Sequence, residues 1–395
     1  MKITIGLFFG GNSVEHEVSI ISALQAYPRF DREKYDVLPI YITRQFQFYT
    51  GEAAGQIGEY RDVPALLHKC VRVTPIRQGD RVGLYAWGPL GLKRKPLATL
   101  DLAFPVVHGV GVEDGALQGY FRTLGLPFAG CDVGASAVGM DKYLQKLAYR
   151  AAGLKVVEGL RFSIHSDRTE MQARILDTLG LPVVVKPLDQ GSSVGIRLVN
   201  AEAELAAALD YAFDFAPVIL VEKAVRHLRE INCAVLGDRE AARPSECEEP
   251  VAGDGILSYE DKYLSGGKSG GGKTGGGKSG MSSLKRLLPA PISPELRQRV
   301  QDAAVRAFQA LDCAGVARID FLMDGESGEI YVNEINTNPG SLSFYLWEAS
   351  GLSYPRLLDA LVSLALKRER ERAAYHTEID TGILKGFTGG AKGKL

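Results

Sequence analysis

The sequence predicts an α/β fold, α+β overall, in which an N-terminal parallel sheet is followed by further sheets with their own helices. Strand-like runs at Ile3–Phe9 and Tyr35–Ile42 flank a helical run at Val18–Tyr27, and this alternation is typical of βαβ units. A β-hairpin is predicted much later, at 316–336, with a turn rich in glycine and acidic residues. A chain of 395 residues is long enough for two or three domains, so we expect the hairpin to belong to a different sheet.

The other elements follow in order along the chain. The predicted strands are Leu102–Val107, Leu160–Ile164, Pro182–Lys186 and Val218–Glu222, and the predicted helices are Lys142–Ala152, Glu202–Phe213, Pro294–Leu311 and Tyr354–Leu366. This order divides the chain into an N-terminal domain at 1–134, a central domain at 135–222, a C-terminal domain at 223–370 and an extension at 371–395. A glycine- and lysine-rich loop at 254–286 lies within the third domain, and its composition predicts flexibility because it has little apolar area to bury.

Composition and charge exclude several classes of protein. The chain is 46% apolar and 24% charged with a formal net charge of −1, so a surface for nucleic acid is not expected. No apolar run is long enough to span a bilayer, and the first residues read as a strand rather than a signal peptide. The five scattered cysteines fit reduced thiols. We therefore expect a cytoplasmic protein with small-molecule partners.

The predicted hairpin opposes two carboxylates. If Asp324 pairs with Ile330, the ladder places Asp320 opposite Glu334. Directly opposed side chains lie about 4.5–5.5 Å apart at Cβ, and like charges at that distance are destabilising. A cation between the two carboxylates would remove this cost.

The same register places Arg318 opposite Asn336 on the same face of the hairpin. Carboxylate and amide oxygens are the ligands that Mg²⁺ prefers, and Mg²⁺ commonly completes its shell with water and substrate phosphates. The hairpin therefore predicts a metal–nucleotide site.

Two glycine-rich loops follow strands in the N-terminal domain. Gly10–Ser19 opens a helix, and it fits either an anion site or a tight turn with capping acids. His108–Gly115 also follows a strand, at a position where ligands collect in open α/β sheets. The alternative for the second loop is that Glu113 and Asp114 only cap the next helix.

A lysine motif in the central domain indicates phosphate binding more strongly. Lys186 ends an apolar strand, where an ammonium is costly unless it meets an anion. The small residues at 191–195 could cradle a phosphate with their N–H groups. Glu222 and Glu230 follow as weaker candidates for adenine and ribose contacts.

The lysine-glycine loop contains two matches to the Walker A pattern, at 267–274 and 272–279. A phosphate-binding loop of that type must follow a strand and open a helix, and neither context is present. The Walker A interpretation is therefore rejected.

Taken together, the motifs resemble the D-alanine–D-alanine ligases, a family of the ATP-grasp fold. The resemblance runs from Ile5 to about Lys367 and rests on the strings GGNSVEHEVSIISA, HGVGVEDGALQG, MDKYLQKLAYRAAGL, VVKPLDQGSSVGI, SYEDKYLS, ARIDF and NEINTNPG. It implies a three-domain ATP-grasp architecture with an N-terminal pre-ATP-grasp domain. It also implies ATP-dependent joining of two D-alanines through an acyl phosphate, for peptidoglycan precursor synthesis. A ligase with another acceptor (D-serine, D-lactate or another small amino acid) and a nucleotide-binding scaffold without ligase chemistry are the alternatives.

The resemblance also implies roles for individual residues. The nucleotide residues are Lys142 and Lys186 (phosphates or adenine), Glu222 and Lys223 (adenine), Glu230 (ribose) and Lys262 (γ-phosphate). The ligands of two Mg²⁺ ions, or of Mn²⁺ in their place, are Asp320, Glu334 and Asn336. The catalytic set is Glu15 (ammonium of the first amino acid), Ser192 and Tyr263 (a hydrogen-bonded triad with Glu15), and Arg318 and the Gly340 N–H (oxyanion).

The match departs from the family after Gly340, where the loop is shorter than usual. This loop normally supplies a serine for the carboxylate of the second substrate, and both Ser341 and Ser343 are candidates. The identity of the second substrate therefore stays open. We also expect the protein to form a homodimer.

Overall fold

The computed structural model describes residues 2–191, 194–251 and 286–375, together with residues 381, 382 and 385. Three predicted site residues, Ser192, Lys262 and Tyr263, lie outside the described residues, as do most of the predicted loop at 254–286 and of the predicted extension at 371–395. No helix in the described ranges is long and apolar enough to cross a membrane.

The described residues form ten α-helices and seventeen strands, besides short 3-10 helices. The helices are α1 (His16–Ala26), α2 (Val63–Lys69), α3 (Ala116–Leu124), α4 (Val133–Met140), α5 (Lys142–Ala151), α6 (Arg168–Thr178), α7 (Glu202–Phe213), α8 (Pro294–Ala310), α9 (Phe344–Ala349) and α10 (Tyr354–Ala373). The strands are β1 (Ile3–Gly10), β2 (Tyr35–Ile42), β3 (Phe48–Thr50), β4 (Val71–Gln78), β5 (Arg81–Gly88), β6 (Gly91–Leu92), β7 (Ala98–Leu100), β8 (Leu102–Pro105), β9 (Gly159–Ser163), β10 (Val183–Pro187), β11 (Arg197–Val199), β12 (Val218–Lys223), β13 (Leu228–Gly237), β14 (Ala242–Pro250), β15 (Arg286–Leu287), β16 (Gly315–Asp324) and β17 (Ile330–Asn336).

Three strands of the first sheet, β1, β2 and β8, pair in parallel, and the rest of this eight-stranded sheet is antiparallel. Its order is β6-β5-β4-β3-β2-β1-β8, with β7 beside β5. Strand β1 runs parallel to both β2 and β8, which confirms the predicted βαβ part. Leu7, Phe8 and Phe9 of β1 are fully buried, as expected for a parallel strand covered on both faces. The loop after β1 therefore lies at the carboxyl end of the middle strand of the parallel part.

The antiparallel part, β3 to β7, is absent from the predicted elements. Strands β4 and β5 are joined by the two-residue loop Gly79-Asp80, and Gln78 pairs with Arg81 across it. Gly79 has φ +62°, as a tight hairpin turn requires. This glycine–aspartate pair between alternating strands was a usable signal for the hairpin.

Two antiparallel sheets follow. The second sheet has the order β11-β10-β12-β9, and α6 and α7 pack on it through residues such as Ile175 and Leu209. The third sheet has the order β15-β14-β13-β16-β17, and α8 covers one of its faces with Val300, Ala304 and Phe308. The opposite face of the third sheet carries polar residues such as Asn232 and Arg318, beside an apolar part that packs on the N-terminal core through Ala234, Leu236 and Val316.

The hairpin β16–β17 has the predicted pairs at the site but a different register near its turn. Asp320 pairs with Glu334 and Arg318 with Asn336, as predicted. The predicted pairing of Asp324 with Ile330 is wrong, because Met323 pairs with Ile330.

A bulge next to Asp320 accounts for the one-residue difference, since it adds one residue to β17. Val332 and Ile335 both belong to the apolar core although they are three positions apart, and an extra residue is needed to keep both on one face. The bulge thus turns Glu334 and Asn336 toward the polar face.

Candidate active site

A cleft lies where the three sheets meet. Six of the predicted site residues line it: Glu15, Lys142, Arg318, Glu334, Asn336 and Gly340. They come from the N-terminal segment, from α5 and from the hairpin with its following loop. Two charged clusters lie at the cleft. In the hairpin wall (Arg318, Asp320, Glu334 and Asn336) every residue but Asp320 lines the cleft, and in the lysine wall (Lys142, Lys146, Lys186 and Glu222) Lys142 lines it while the other three are buried nearby.

The hairpin wall is held by a forked ion pair. Arg318 Nε lies 2.6 Å from Asp320 Oδ1, and the terminal nitrogen Nη2 lies 2.7 Å from Oδ2. Asn336 Nδ2 donates to the same Oδ2 at 3.1 Å. Burial alone would lower the pKa of Arg318, but the Asp320 carboxylate outweighs it and raises that pKa. Asp320 is therefore compensated by a side chain of its own strand.

Glu334 is compensated from the opposite wall. Lys142 Nζ lies 3.7 Å from Glu334 Oε2. Two side-chain cations, Arg318 and Lys142, thus offset the opposed carboxylates, and the opposition does not by itself require a metal. This corrects the electrostatic argument from the sequence while leaving the pairing intact.

The hairpin wall still has the donor chemistry of a magnesium site. Asp320, Glu334 and Asn336 offer carboxylate and amide oxygens from neighbouring strands, and hard oxygen donors suit Mg²⁺ or Mn²⁺. Among the described residues no group of three or more His, Cys, Asp and Glu side chains could hold a metal on its own. Substrate phosphates and water would have to complete the shell, as they commonly do for Mg²⁺.

Helix α5 supplies the lysine wall. Asp141 caps its N-terminus by accepting the N–H groups of Tyr143 and Leu144, each at 2.9 Å. Lys142 Nζ then donates to the Gln190 carbonyl at 2.6 Å. Burial lowers the pKa of Lys142, and the nearby Glu334 opposes this change. The first turn of α5 therefore places an ammonium between the central segment and the hairpin.

Lys186 and Glu222 lie on the neighbouring strands β10 and β12. Lys186 Nζ lies 2.5 Å from Glu222 Oε2 and donates to Asn333 Oδ1, on the hairpin bulge, at 3.3 Å. Glu222 Oε1 lies 2.6 Å from Lys146 Nζ, a residue that the sequence reasoning did not single out. The spacing of Lys146 four residues after Lys142 was the available signal, because residues four apart share one helix face.

The other nucleotide candidates lie further from the ion pairs. Lys223 ends β12 and is exposed, and Glu230 is half-buried on β13 opposite Leu322. Nothing in their surroundings tests the roles in binding adenine and ribose, which stay predictions.

Glu15 stands at the start of α1 and faces the cleft. Its carboxylate does not cap the helix, so the capping interpretation of this acid does not hold. A Cβ at position 191 would lie 2.7 Å from Glu15 Oε2, so Gly191 leaves the space that the carboxylate occupies. His108 lies in the same cleft, and burial lowers the pKa of its ring.

Glu113 joins the N-terminal domain to the loop after the hairpin. Its Oε1 accepts the Asn338 N–H at 3.0 Å and the Thr337 hydroxyl at 3.3 Å, and its Oε2 accepts the Gly109 N–H at 3.0 Å. Burial, followed by the charge of Glu15, raises the pKa of Glu113 to about 8. The two acids of this loop thus have different roles, because Asp114 alone accepts an N–H at the start of α3, that of Ala116.

The loop after the hairpin adopts an unusual backbone. Ser341, Leu342 and Ser343 have φ values of 53°, 53° and 49°, in the left-handed region that costs an ordinary residue about 1–2 kcal/mol. The Ser341 hydroxyl donates to Gln25 Oε1 at 2.7 Å. The buried Ser343 hydroxyl has no hydrogen-bond partner among the described residues. Gly340 lines the cleft, and the second-substrate roles of both serines stay predictions.

Both halves of the chain match family models. Residues 4–131 match the model described as D-ala D-ala ligase N-terminus, and residues 148–363 match D-ala D-ala ligase C-terminus. The D-alanine–D-alanine ligase of Shouchella clausii is 38% identical over 389 residues, which cover 96% of this chain and 99% of the relative.

Solved structures agree with these matches and confirm the predicted ATP-grasp class. The D-alanine–D-alanine ligase of Coxiella burnetii superimposes with a TM-score of 0.76 at 31% identity, covering 94% of this chain and 96% of that one. The VanG D-Ala:D-Ser ligase of Enterococcus faecalis gives a TM-score of 0.75 at 31% identity, covering 92% and 100%. The chain therefore belongs to the D-alanine–D-alanine ligase family.

Proposed function

We propose that this protein is an ATP-dependent ligase that joins two D-alanines through an acyl phosphate, as a step of peptidoglycan precursor synthesis. The observation that carries the proposal is the meeting of the two walls, where Lys142 Nζ lies 3.7 Å from Glu334 Oε2. A cationic wall beside an oxygen-donor wall suits a nucleotide whose phosphates bind lysines on one side and metal on the other. Membership of the family supports the same reaction.

The reaction has two steps. A carboxylate oxygen of the first D-alanine attacks the γ-phosphorus of ATP, which forms an acyl phosphate and releases ADP. The amine of the second D-alanine then attacks the acyl carbon, loses a proton and expels inorganic phosphate. Phosphoryl transfer depends on positioning and charge neutralisation more than on a protein nucleophile.

The residues of the two walls divide this work. Lys142 and Lys186 bind phosphates, and Asp320, Glu334 and Asn336 would hold Mg²⁺, which neutralises phosphate charge when bound. Arg318 and the Gly340 N–H both line the hairpin side of the cleft and would stabilise the oxyanion of the tetrahedral intermediate.

The remaining roles follow the family resemblance. The nucleoside residues are Glu222, Lys223 and Glu230, the γ-phosphate residue is Lys262, and the first-substrate residues are Glu15, Ser192 and Tyr263. Ser341 and Ser343 are the candidates for the second substrate. The domain bounds given from the sequence, a homodimer, a second Mg²⁺ ion and a cytoplasmic location complete the proposal. Light scattering of the purified protein tests the dimer.

Phosphate release tests the reaction. ATP, Mg²⁺ and D-alanine as the sole amino acid should give phosphate and D-alanyl-D-alanine in equal amounts. Parallel reactions with added D-serine, D-lactate or L-alanine measure acceptor choice, and the likeness to a D-Ala:D-Ser ligase makes D-serine the main comparison. Absence of dipeptide with D-alanine alone would reject the proposal.

A further inference from the structure

Helix α5 has its charged side inward. Its buried side chains are Lys142, Gln145, Lys146 and Tyr149, which occupy the i, i+3, i+4 and i+7 positions of one face. Leu144 and Leu147 of the same helix are 44% and 43% exposed. A helix that serves only the core buries its apolar residues, whereas α5 buries Lys142 and Gln145, which line the cleft, and Lys146 beside the core residue Tyr149.

Lys142 and Gln145 each have a visible reason for facing inward. Lys142 reaches Gln190 and Glu334, and Gln145 accepts the Ile335 N–H at 3.0 Å while donating to the Gly139 carbonyl at 2.6 Å. Both contacts tie α5 to neighbouring parts of the cleft.

Lys146 has one ionic partner in the described part of the chain, Glu222, at 2.6 Å. Its side chain is 3% exposed, and no other polar atom there makes a hydrogen bond to its Nζ. Lys146, Glu222 and Lys186 are all absent from the residues that line the cleft, but Lys186 also contacts the hairpin, through Asn333. Lys146 contacts Glu222, so its effect on a ligand is expected to pass through that carboxylate.

The two oxygens of Glu222 are shared between two lysines. Oε1 faces Lys146 at 2.6 Å and Oε2 faces Lys186 at 2.5 Å. All three side chains are at most 6% exposed, so water screens their charges weakly. Burial alone would raise the pKa of Glu222, but Lys146 and Lys186 outweigh it and lower that pKa. The cluster therefore contains two positive charges and one negative charge.

We propose that Lys146 is a positioning residue that balances Glu222, so that Lys186 keeps an unbalanced positive charge for the ATP phosphates. Without Lys146 the pair Lys186–Glu222 would be neutral, and Lys186 would present a dipole instead of a cation. This inference rests on the proposed function, because it takes Lys186 as a phosphate-binding residue.

The test is the substitution Lys146→Met, which keeps the length of the side chain and removes its charge. Affinities for Mg·ATP, Mg·ADP and adenosine are measured by calorimetry. We expect Kd to rise on the order of tenfold for ATP and ADP and to change less than about twofold for adenosine, because adenosine is uncharged and Glu222 keeps Lys186 as a partner. In turnover, KM for ATP should rise while KM for D-alanine stays constant.

Two further variants serve as controls. Lys155→Met removes a lysine that is paired with Glu329 on the surface, and it should leave every affinity unchanged. Lys146→Gln repeats the loss of charge with a polar side chain in case the methionine variant does not fold. Thermal melting reports folding for all three proteins.

Each outcome is decisive. An equal loss of affinity for adenosine and ATP would show a structural role and overturn the inference, and so would unchanged ATP affinity in a folded variant. If the wild-type protein binds Mg·ATP but makes no dipeptide, the proposed function is rejected. The inference about Lys146 is still tested in that case, by the affinities of the Lys146→Met variant for ATP and adenosine. A wild-type protein that binds no nucleotide would overturn both.

Discussion

The lysine wall and the hairpin wall hold buried charge in different ways. In the lysine wall one carboxylate is shared by two lysines from α5 and β10, and these ion pairs join separate elements. In the hairpin wall Arg318 and Asp320 lie two residues apart on one strand and pair through a fork. The first arrangement leaves net positive charge, and the second leaves oxygen donors beside a neutral pair.

This difference indicates that the two walls have different functions. A cluster with surplus positive charge suits the permanent charge of phosphates. A carboxylate paired with a guanidinium would serve as a ligand for a metal once that pair separates, and the guanidinium would then be available to a developing oxyanion. The comparison predicts that changes in the lysine wall act on nucleotide affinity and that changes in the hairpin wall act on turnover.

The largest effect is expected from Arg318→Lys in the hairpin wall. Lysine keeps the charge but loses the fork, so we expect kcat to fall about 10²-fold or more with little change in the Kd of ATP. Steady-state kinetics and calorimetry measure the two quantities. The control is Arg229→Lys, which breaks an equally forked pair with Glu249 outside the cleft. A rise in Kd with kcat unchanged would reverse the assignment of the walls.

The next effect concerns Glu113, which fixes the loop after the hairpin. The pKa of Glu113 is about 8 in the folded protein and ordinarily 4.5. Between these two pH values the native state therefore keeps a proton that the unfolded chain loses. The resulting stability is present at acidic pH and is lost as pH rises through 8.

Between pH 5 and pH 8 the wild type should therefore lose about 3.5 kcal/mol of unfolding free energy relative to Glu113→Gln. Urea unfolding of both proteins across this range measures the difference. Parallel pH dependences would contradict the assignment.

Glu334→Gln tests whether the hairpin wall binds Mg²⁺. The amide keeps an oxygen donor but removes the charge, so the Mg²⁺ concentration for half-maximal activity should rise on the order of tenfold. Glu329→Gln is the matched control, because Glu329 lies next to the same strand but pairs with Lys155 on the surface. Equal metal dependence of the two variants would argue against a metal role for Glu334.

The smallest effects are expected at the serines of the left-handed turn. Ser341→Ala loses a hydrogen bond to Gln25 and should cost about 1 kcal/mol of stability, while Ser343→Ala should be near neutral. If either hydroxyl binds the second D-alanine, only that variant will show a higher KM for the second substrate. Initial rates over a wide range of D-alanine concentration separate the two KM values.

The parts of the fold that were predictable are those with a local pattern. β2, α7 and β17 have the predicted bounds, because an apolar run or a helical period ends at a clear break. Strands β13 and β14 were missed, and the polar residues on their cleft face (Asn232 and Glu248 among them) break the expected apolar pattern.

The candidate site shows the same limit. The opposition of Asp320 and Glu334 followed from alternation along two strands. The forked pair of Arg318 with Asp320, the reach of Glu113 to Asn338 and the sharing of Glu222 all depend on side-chain directions and on contacts between distant segments. Such contacts produce no periodic pattern in the sequence, so they could not be predicted from it.

Oxygen transfer from D-alanine to phosphate tests the central claim most directly. D-alanine labelled with ¹⁸O in its carboxylate is incubated with ATP, Mg²⁺ and the protein, and the products are analysed by mass spectrometry. If the two walls act together in the proposed reaction, one ¹⁸O atom should appear in the inorganic phosphate for each D-alanyl-D-alanine formed. The reason is that the labelled carboxylate oxygen bridges carbon and phosphorus in the acyl phosphate and leaves with the phosphate. Unlabelled phosphate, or labelled D-alanine recovered without dipeptide, would contradict the account.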